Sequence, residues 1–166
     1  METNLTKNPS LLAWLDEKVE LLKPSKIMWI DGSKEQIDAL KKEAVETGEM
    51  IKLNEDLLPD CYLHRTAEND VARVEDRTLI CSREEKDAGP TNHWMEPSKA
   101  YKMLYDIARG SYQGRTMYII PYSMGPVGSP FSKIGVEITD SIYVVLNMNI
   151  MTRIGKKVLD TLGDSN

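Results

Sequence analysis

The chain has 166 residues, is 41% hydrophobic and 28% charged, and carries a net charge of −5, globular values that allow one real core and leave too little length for two ordinary domains. That balance gives no reason to expect nucleic acid or an anionic membrane as the main partner, so any bound anion must be held locally. Apolar runs such as Ile142–Leu146 fall far short of the roughly 20 residues of a membrane span, and the N-terminus METNLTKNPS lacks a basic-then-apolar signal, so a cytoplasmic address is expected.

Asn8 and Pro9 form an N-cap and first-turn pair, after which Leu11, Leu12, Leu15, Val19 and Leu22 recur at helical spacing until Pro24. Ile27–Ile30 reads as a short strand. Ser33 with Gln36 three residues on is a capping-box pattern opening a second helix, for which Gly48 is the stop, with Ile37, Leu40, Ala44 and Val45 facing a sheet. Met50–Leu53 is a further short strand. From Asn54 to Ser82 the helical period disappears, and Cys61–His64, Val71–Glu75 and Arg77–Cys81 read as strands between polar turns.

Arg83–Pro97 is charged and turn-rich, a surface loop ahead of a helix that opens at Pro97, carries Tyr101, Leu104, Tyr105 and Ala108, and stops near Gly110. Thr116–Ile120 is a strand feeding a loop, Ser123–Gly135, in which three glycines and two prolines suggest a rigid, shaped segment. Val136–Thr139 and Ile142–Leu146 read as strands, and from Asn149 onward Ile150, Ile154, Val158 and Leu162 recur near every fourth position as a closing helix. The expected fold is α/β in the mixed α+β sense, a mixed sheet flanked by helices over residues 1–166 as one domain.

Alternation along Val71–Arg77 places Arg73, Glu75 and Arg77 in one charged row. Periodicity alone leaves two readings open. One is a solvated strand face; the other is a guanidinium fork held by a carboxylate for bidentate contact with a ligand carboxylate or phosphate. The loop Ser123–Gly135 invites a phosphate reading but lacks the required Gly-Lys spacing of a phosphate loop, since Lys133 follows Ser132 and precedes Ile134. Lys133 or Ser129 could still touch an anion. His64, His93, Cys61 and Cys81 lack the paired spacing of a zinc site, and the two cysteines read as reduced, buried small residues. Met117, Met124, Met148 and Met151 read as core filler, and Tyr118, Tyr122 and Tyr143 as packing residues.

DVARVE at Asp70–Glu75, SMGPVGSP at Ser123–Pro130 and IMTRIG at Ile150–Gly155, with AGPTNHWMEP at Ala88–Pro97 as weaker support, together resemble the N-terminal region of GTP-dependent phosphoenolpyruvate carboxykinase. The resemblance implies that Arg73 contacts the carboxylate-bearing substrate, oxaloacetate or phosphoenolpyruvate, with Glu75 and Arg77 supporting it. It also implies an N-terminal substrate-binding lobe of a gluconeogenic lyase that uses GTP and manganese or magnesium. The family's phosphate loop, metal ligands and guanine pocket have no counterpart in these residues, so no catalytic residue, metal ligand or cofactor is expected in this chain. Its expected partners are the small anionic acid and the C-terminal domain, and it is expected to be inactive alone. Ile142 stands where the family places proline and Asn149 where it places arginine. The rival expectations are a non-catalytic module or subunit binding small anions beside a partner chain, and a structural fragment that associates through an uncovered apolar surface.

Overall fold

A computed structural model describes residues 5–68, 70, 74 and 78–163. The first helix, α1 (Pro9–Leu22), starts where Asn8 Oδ1 accepts from the Leu11 N–H, and it ends on Lys23 in the left-handed region. β1 (Lys26–Trp29) follows, and then α2 (Lys34–Glu46), capped by Ser33, whose hydroxyl accepts from the Gln36 N–H. The Gln36 side chain turns back to β1, accepting from the Asp31 N–H and donating to the Trp29 carbonyl. Helix and preceding strand are thereby locked together through one residue.

β2 (Ile51–Lys52) and β3 (Tyr62–Leu63) pair antiparallel in a small ladder of their own. β4 (Leu79–Ile80) pairs in parallel with β5 (His93–Trp94), so the expected loop at 83–97 contains a strand and also a 3-10 turn at Glu85–Ala88. α3 (Pro97–Ala108) opens on Glu96, whose carboxylate accepts from the N–H groups of Ser98 and Lys99. The expected strand Val71–Glu75 lies outside the described residues except at Val74, which is not in a strand.

The main sheet is built on β6 (Thr116–Met124). β7 (Lys133–Thr139) runs antiparallel along one side of it, from Tyr118↔Thr139 to Met124↔Lys133. The other side is shared. β1 pairs in parallel with Thr116–Ile119, and β8 (Arg153–Ile154) pairs antiparallel with Tyr122 and Ser123. The two segments abut where the Lys156 N–H donates to the Asp31 carbonyl at 3.0 Å and the Gly155 N–H to the Pro121 carbonyl at 2.9 Å.

Alternate residues of β6 point to opposite faces, and both faces are covered. Tyr118 and Ile120 join Ile30, Ile37, Leu40 and Ala44 and the α4 residues Val145 and Leu146 in one core, where α4 spans Ile142–Met151. Met117 and Ile119 join Trp29, Leu15, Leu22 and Leu159 in the other, where Leu159 belongs to α5 (Lys156–Leu162). This is a mixed α/β arrangement around a central strand buried from Met117 to Pro121.

Five expectations are corrected. Ile142–Leu146 is the start of helix α4 and not a strand: Ser141 caps it by accepting from the Val144 N–H, and Glu49 accepts from the Tyr143 N–H, so first-turn donors are satisfied despite the β-branched run. The closing helix from Asn149 is broken, because Arg153 and Ile154 bond to β6 and only Lys156–Leu162 is helical. Val45 is 37% exposed, whereas Ile37, Leu40 and Ala44 face the sheet as expected. Of the methionines read as core, Met117 is fully buried and Met148 packs against the core, but Met124 and Met151 are exposed. Cys61 and Cys81 are free thiols, one half-buried and one exposed, so neither is a buried core residue.

Tyr118 is 3% exposed, and burial, with the carboxylates of Glu43 and Glu49 adding to it, pushes its hydroxyl up to about 12 from the ordinary value near 10. Between those values the unfolded chain releases a proton that the folded chain keeps. Stability is therefore complete below pH about 10 and falls as pH rises toward about 12. Tyr118→Phe is expected to flatten that decline in urea midpoints, with a remainder from Tyr112, whose hydroxyl burial also raises. An unaltered alkaline slope in the variant would assign it to other groups.

Candidate functional site

β1 and β6 are parallel, so their C-terminal ends open at the same edge of the sheet. In open α/β sheets that edge is where ligands are held. The turn Asp31–Ser33, the Gly/Pro loop and the Arg153–Gly155 segment converge there. Gly32 and Gly155 make the convergence possible, since Asp31, Gly32, Ile154 and Gly155 touch backbone to backbone.

The loop is shorter than its sequence suggests, because the strands continue into it and leave only Gly125–Ser132 between them. It is held by its own bonds. Ser123 Oγ donates to the Gly125 carbonyl, the Ser129 N–H to the Pro126 carbonyl, and Ser132 Oγ to the Ser129 carbonyl at 2.8 Å. Ser129 Oγ accepts from the Phe131 N–H, so the serine named as an anion contact is engaged within the turn. Gly135 lies in β7 opposite Tyr122, whose ring occupies the space that a Cβ at 135 would need, 2.6 Å from the phenol oxygen.

Two cations flank the base of this loop. Register puts Lys133 opposite Met124 on one side of β6 and Arg153 opposite Ser123 on the other. Both are exposed, and among the described residues neither has a carboxylate partner. Two other cations differ. Arg115 pairs with Asp140 at 2.5 Å and Lys156 with Asp160 at 2.5 Å. Unpaired cations at a strand-end edge suit a small anionic ligand, and sequence reading named Lys133 while passing over Arg153. The signal for Arg153 was present in IMTRIG, but the expected closing helix hid its strand position.

A second concavity, about 410 Å³, lies between α2, β3 and α4 and is lined by Lys41, Asp60, Tyr62, His64, Tyr143 and Asn147 among others. His64 stacks on Tyr143 with ring centroids 4.0 Å apart, and its Nδ1 donates to the Glu49 carbonyl at 2.7 Å. The Glu49 carboxylate accepts from Ser141 Oγ at 2.6 Å and from the Tyr143 N–H at 3.0 Å. These bonds tie the turn after α2 to the start of α4, an explanation that leaves His64 a packing residue. Lys41 is neutralised by both oxygens of Asp60 at 3.0 and 2.9 Å.

Arg73, Glu75 and Arg77 lie outside the described residues. Their described neighbours are anchored. Thr78 Oγ1 donates to the Val74 carbonyl at 2.7 Å, β4 continues from Leu79, and the Trp94 indole N–H donates to the Ser82 carbonyl at 3.0 Å. Among the described residues no three of His, Cys, Asp and Glu converge as metal ligands, and no helix is long and apolar enough to cross a membrane.

A family model described as the phosphoenolpyruvate carboxykinase N-terminal domain matches residues 13–166. Curated relatives include the phosphoenolpyruvate carboxykinase [GTP] of Anaeromyxobacter dehalogenans (strain 2CP-C), 52% identical over 161 residues, covering 97% of this chain and 27% of the relative. The protein of the same name from Neocallimastix frontalis is 53% identical over 156 residues, covering 94% of this chain and 26% of its own length. That of Corynebacterium jeikeium (strain K411) is 49% identical over 160 residues, covering 96% and 26%. The chain thus spans about a quarter of the length of these relatives.

Proposed function

The chain belongs to the phosphoenolpyruvate carboxykinase N-terminal domain family, and from that membership we propose that residues 1–166 form the substrate-recognition part of a GTP-dependent phosphoenolpyruvate carboxykinase. The reaction is the interconversion of oxaloacetate and GTP with phosphoenolpyruvate, GDP and CO2, in the cytoplasm and in the service of gluconeogenesis. Arg73 takes the substrate carboxylate in a bidentate contact, and Glu75 and Arg77 hold it in place. The observation that carries this reading is the family match over residues 13–166, which takes in the DVARVE segment. The exposed, uncompensated charges of Lys133 and Arg153 support an anion-facing sheet edge.

GTP and manganese are assigned to sequence outside the stretch shared with the relatives. The described residues fit neither group, having no converging metal ligands and no phosphate-loop spacing at Ser123–Gly135. The partner of this region is accordingly the nucleotide- and metal-binding portion of the enzyme.

Titration calorimetry with oxalate and with phosphoenolpyruvate tests the assignment. Arg73→Ala is expected to weaken binding by at least about tenfold, the loss of a charge-assisted contact worth about 1.5–3 kcal/mol. Equal affinity in the two proteins would remove Arg73 from the site.

A further inference from the structure

We propose that the cavity between α2, β3 and α4 is a binding site for a small, planar, uncharged nitrogen heterocycle of the nucleobase class, a ligand unlike the anionic acid assigned above. At about 410 Å³ the cavity has the size of a small-ligand pocket. Its buried lining is apolar, from Ile37, Met50 and Leu146. Three aromatic rings, Tyr62, His64 and Tyr143, and the Asn147 amide complete it, each half-buried. The rings are set in advance. His64 and Tyr143 stack with centroids 4.0 Å apart at 16°, and both are bonded to Glu49, so a ligand orders little of the wall on entering.

The lining charges are already matched. Lys41 is held by both Asp60 oxygens, with its ammonium 5.7 Å from the Tyr62 ring centroid, and the Glu49 carboxylate is engaged by Ser141 and the Tyr143 N–H. A carboxylate or phosphate entering here would lose water without gaining a free cation. The polar groups that remain are neutral. Because His64 Nδ1 donates to the Glu49 carbonyl, Nε2 of the neutral ring is a lone-pair acceptor. Asn147 Nδ2 donates to the Tyr143 carbonyl, which leaves Oδ1 to accept. Among the described residues neither acceptor has a partner, and nor do the hydroxyls of Tyr62 and Tyr143. Acceptors beside aromatic faces suit a flat ring that carries N–H donors.

The experiment is an NMR titration of the isotope-labelled full chain with adenine. Adenine is expected to give saturable shifts at Tyr62, His64, Tyr143 and Asn147. Purine, without the amino donor, should bind about two- to tenfold more weakly, and benzoate, flat but anionic, should not saturate. Tyr143→Leu and Tyr62→Leu should each bind adenine about five- to a hundredfold more weakly. Tyr62→Leu, which removes no hydrogen bond to a described residue, carries the test if Tyr143→Leu fails to fold. No saturation with adenine, shifts confined to other residues, or wild-type affinity in folded Tyr62→Leu would overturn the site. Equal affinity for purine, or saturation by benzoate, would overturn the ligand class. Oxalate should leave bound adenine in place; displacement would put both on one site and overturn the proposal.

Discussion

Gly155→Ala is expected to cost at least about 4 kcal/mol, enough to unfold a domain of ordinary stability. Gly155 has φ +102, and a Cβ there would lie 2.1 Å from the Asp31 carbonyl oxygen, 2.5 Å from its carbon and 2.8 Å from the Gly32 Cα. Every one of those atoms is backbone, so no side-chain rotation relieves the clash. The control is Gly48→Ala, at φ +79 with nothing within 4 Å, where only the left-handed penalty of about 1–2 kcal/mol applies. Urea midpoints of the two variants separate contact from conformation. Equal losses would show that the close approach of Asp31 does not matter.

Ile120→Ala should follow in size, at about 2–5 kcal/mol, and Ile120→Val at about 0.5–1.5 kcal/mol. Ile120 is fully buried at the centre of β6, with β7 on one side and helices α2 and α4 over its face. Removing its side chain leaves a cavity between elements that are themselves pinned by hydrogen bonds, so little collapse can fill it. Phe131, larger but 89% exposed at the loop tip, should lose less than about 0.5 kcal/mol on truncation to alanine. Similar denaturation midpoints for Ile120→Ala and Phe131→Ala would contradict the two-faced core described for the sheet.

The elements that could be read from sequence are those whose signals are local. Asn8-Pro9 and Ser33 with Gln36 mark helix starts through the backbone donors they satisfy, and both caps form where expected. Pro97 likewise opens α3. What failed was set by distant partners. Ile142–Leu146 has strand composition, yet its first-turn donors are met by Ser141 and by Glu49, which is 94 positions from Tyr143 in sequence, and tertiary contact overrides propensity. Arg153 and Ile154 continue a helical period by spacing, but an open edge of β6 takes them as a strand. The same long-range placement is why Arg153 at the sheet edge escaped notice while Lys133, next to a visible loop, did not. Arg73 is a different case, since local alternation left two readings open and the role proposed for it rests on family likeness.

The shared side of β6 has a consequence for the order in which the fold can be completed. β1 cannot gain its neighbour at Asp31 until Arg153–Lys156 is available, and Asn8 Nδ2 donates to the Gly163 carbonyl across 155 positions of sequence. Closing contacts of that span carries a loop-entropy cost before they contribute stability, and it slows folding. During synthesis, the early helices α1 and α2 therefore keep part of their apolar faces uncovered until β6 and the IMTRIG segment have left the ribosome, an interval of exposed hydrophobic surface.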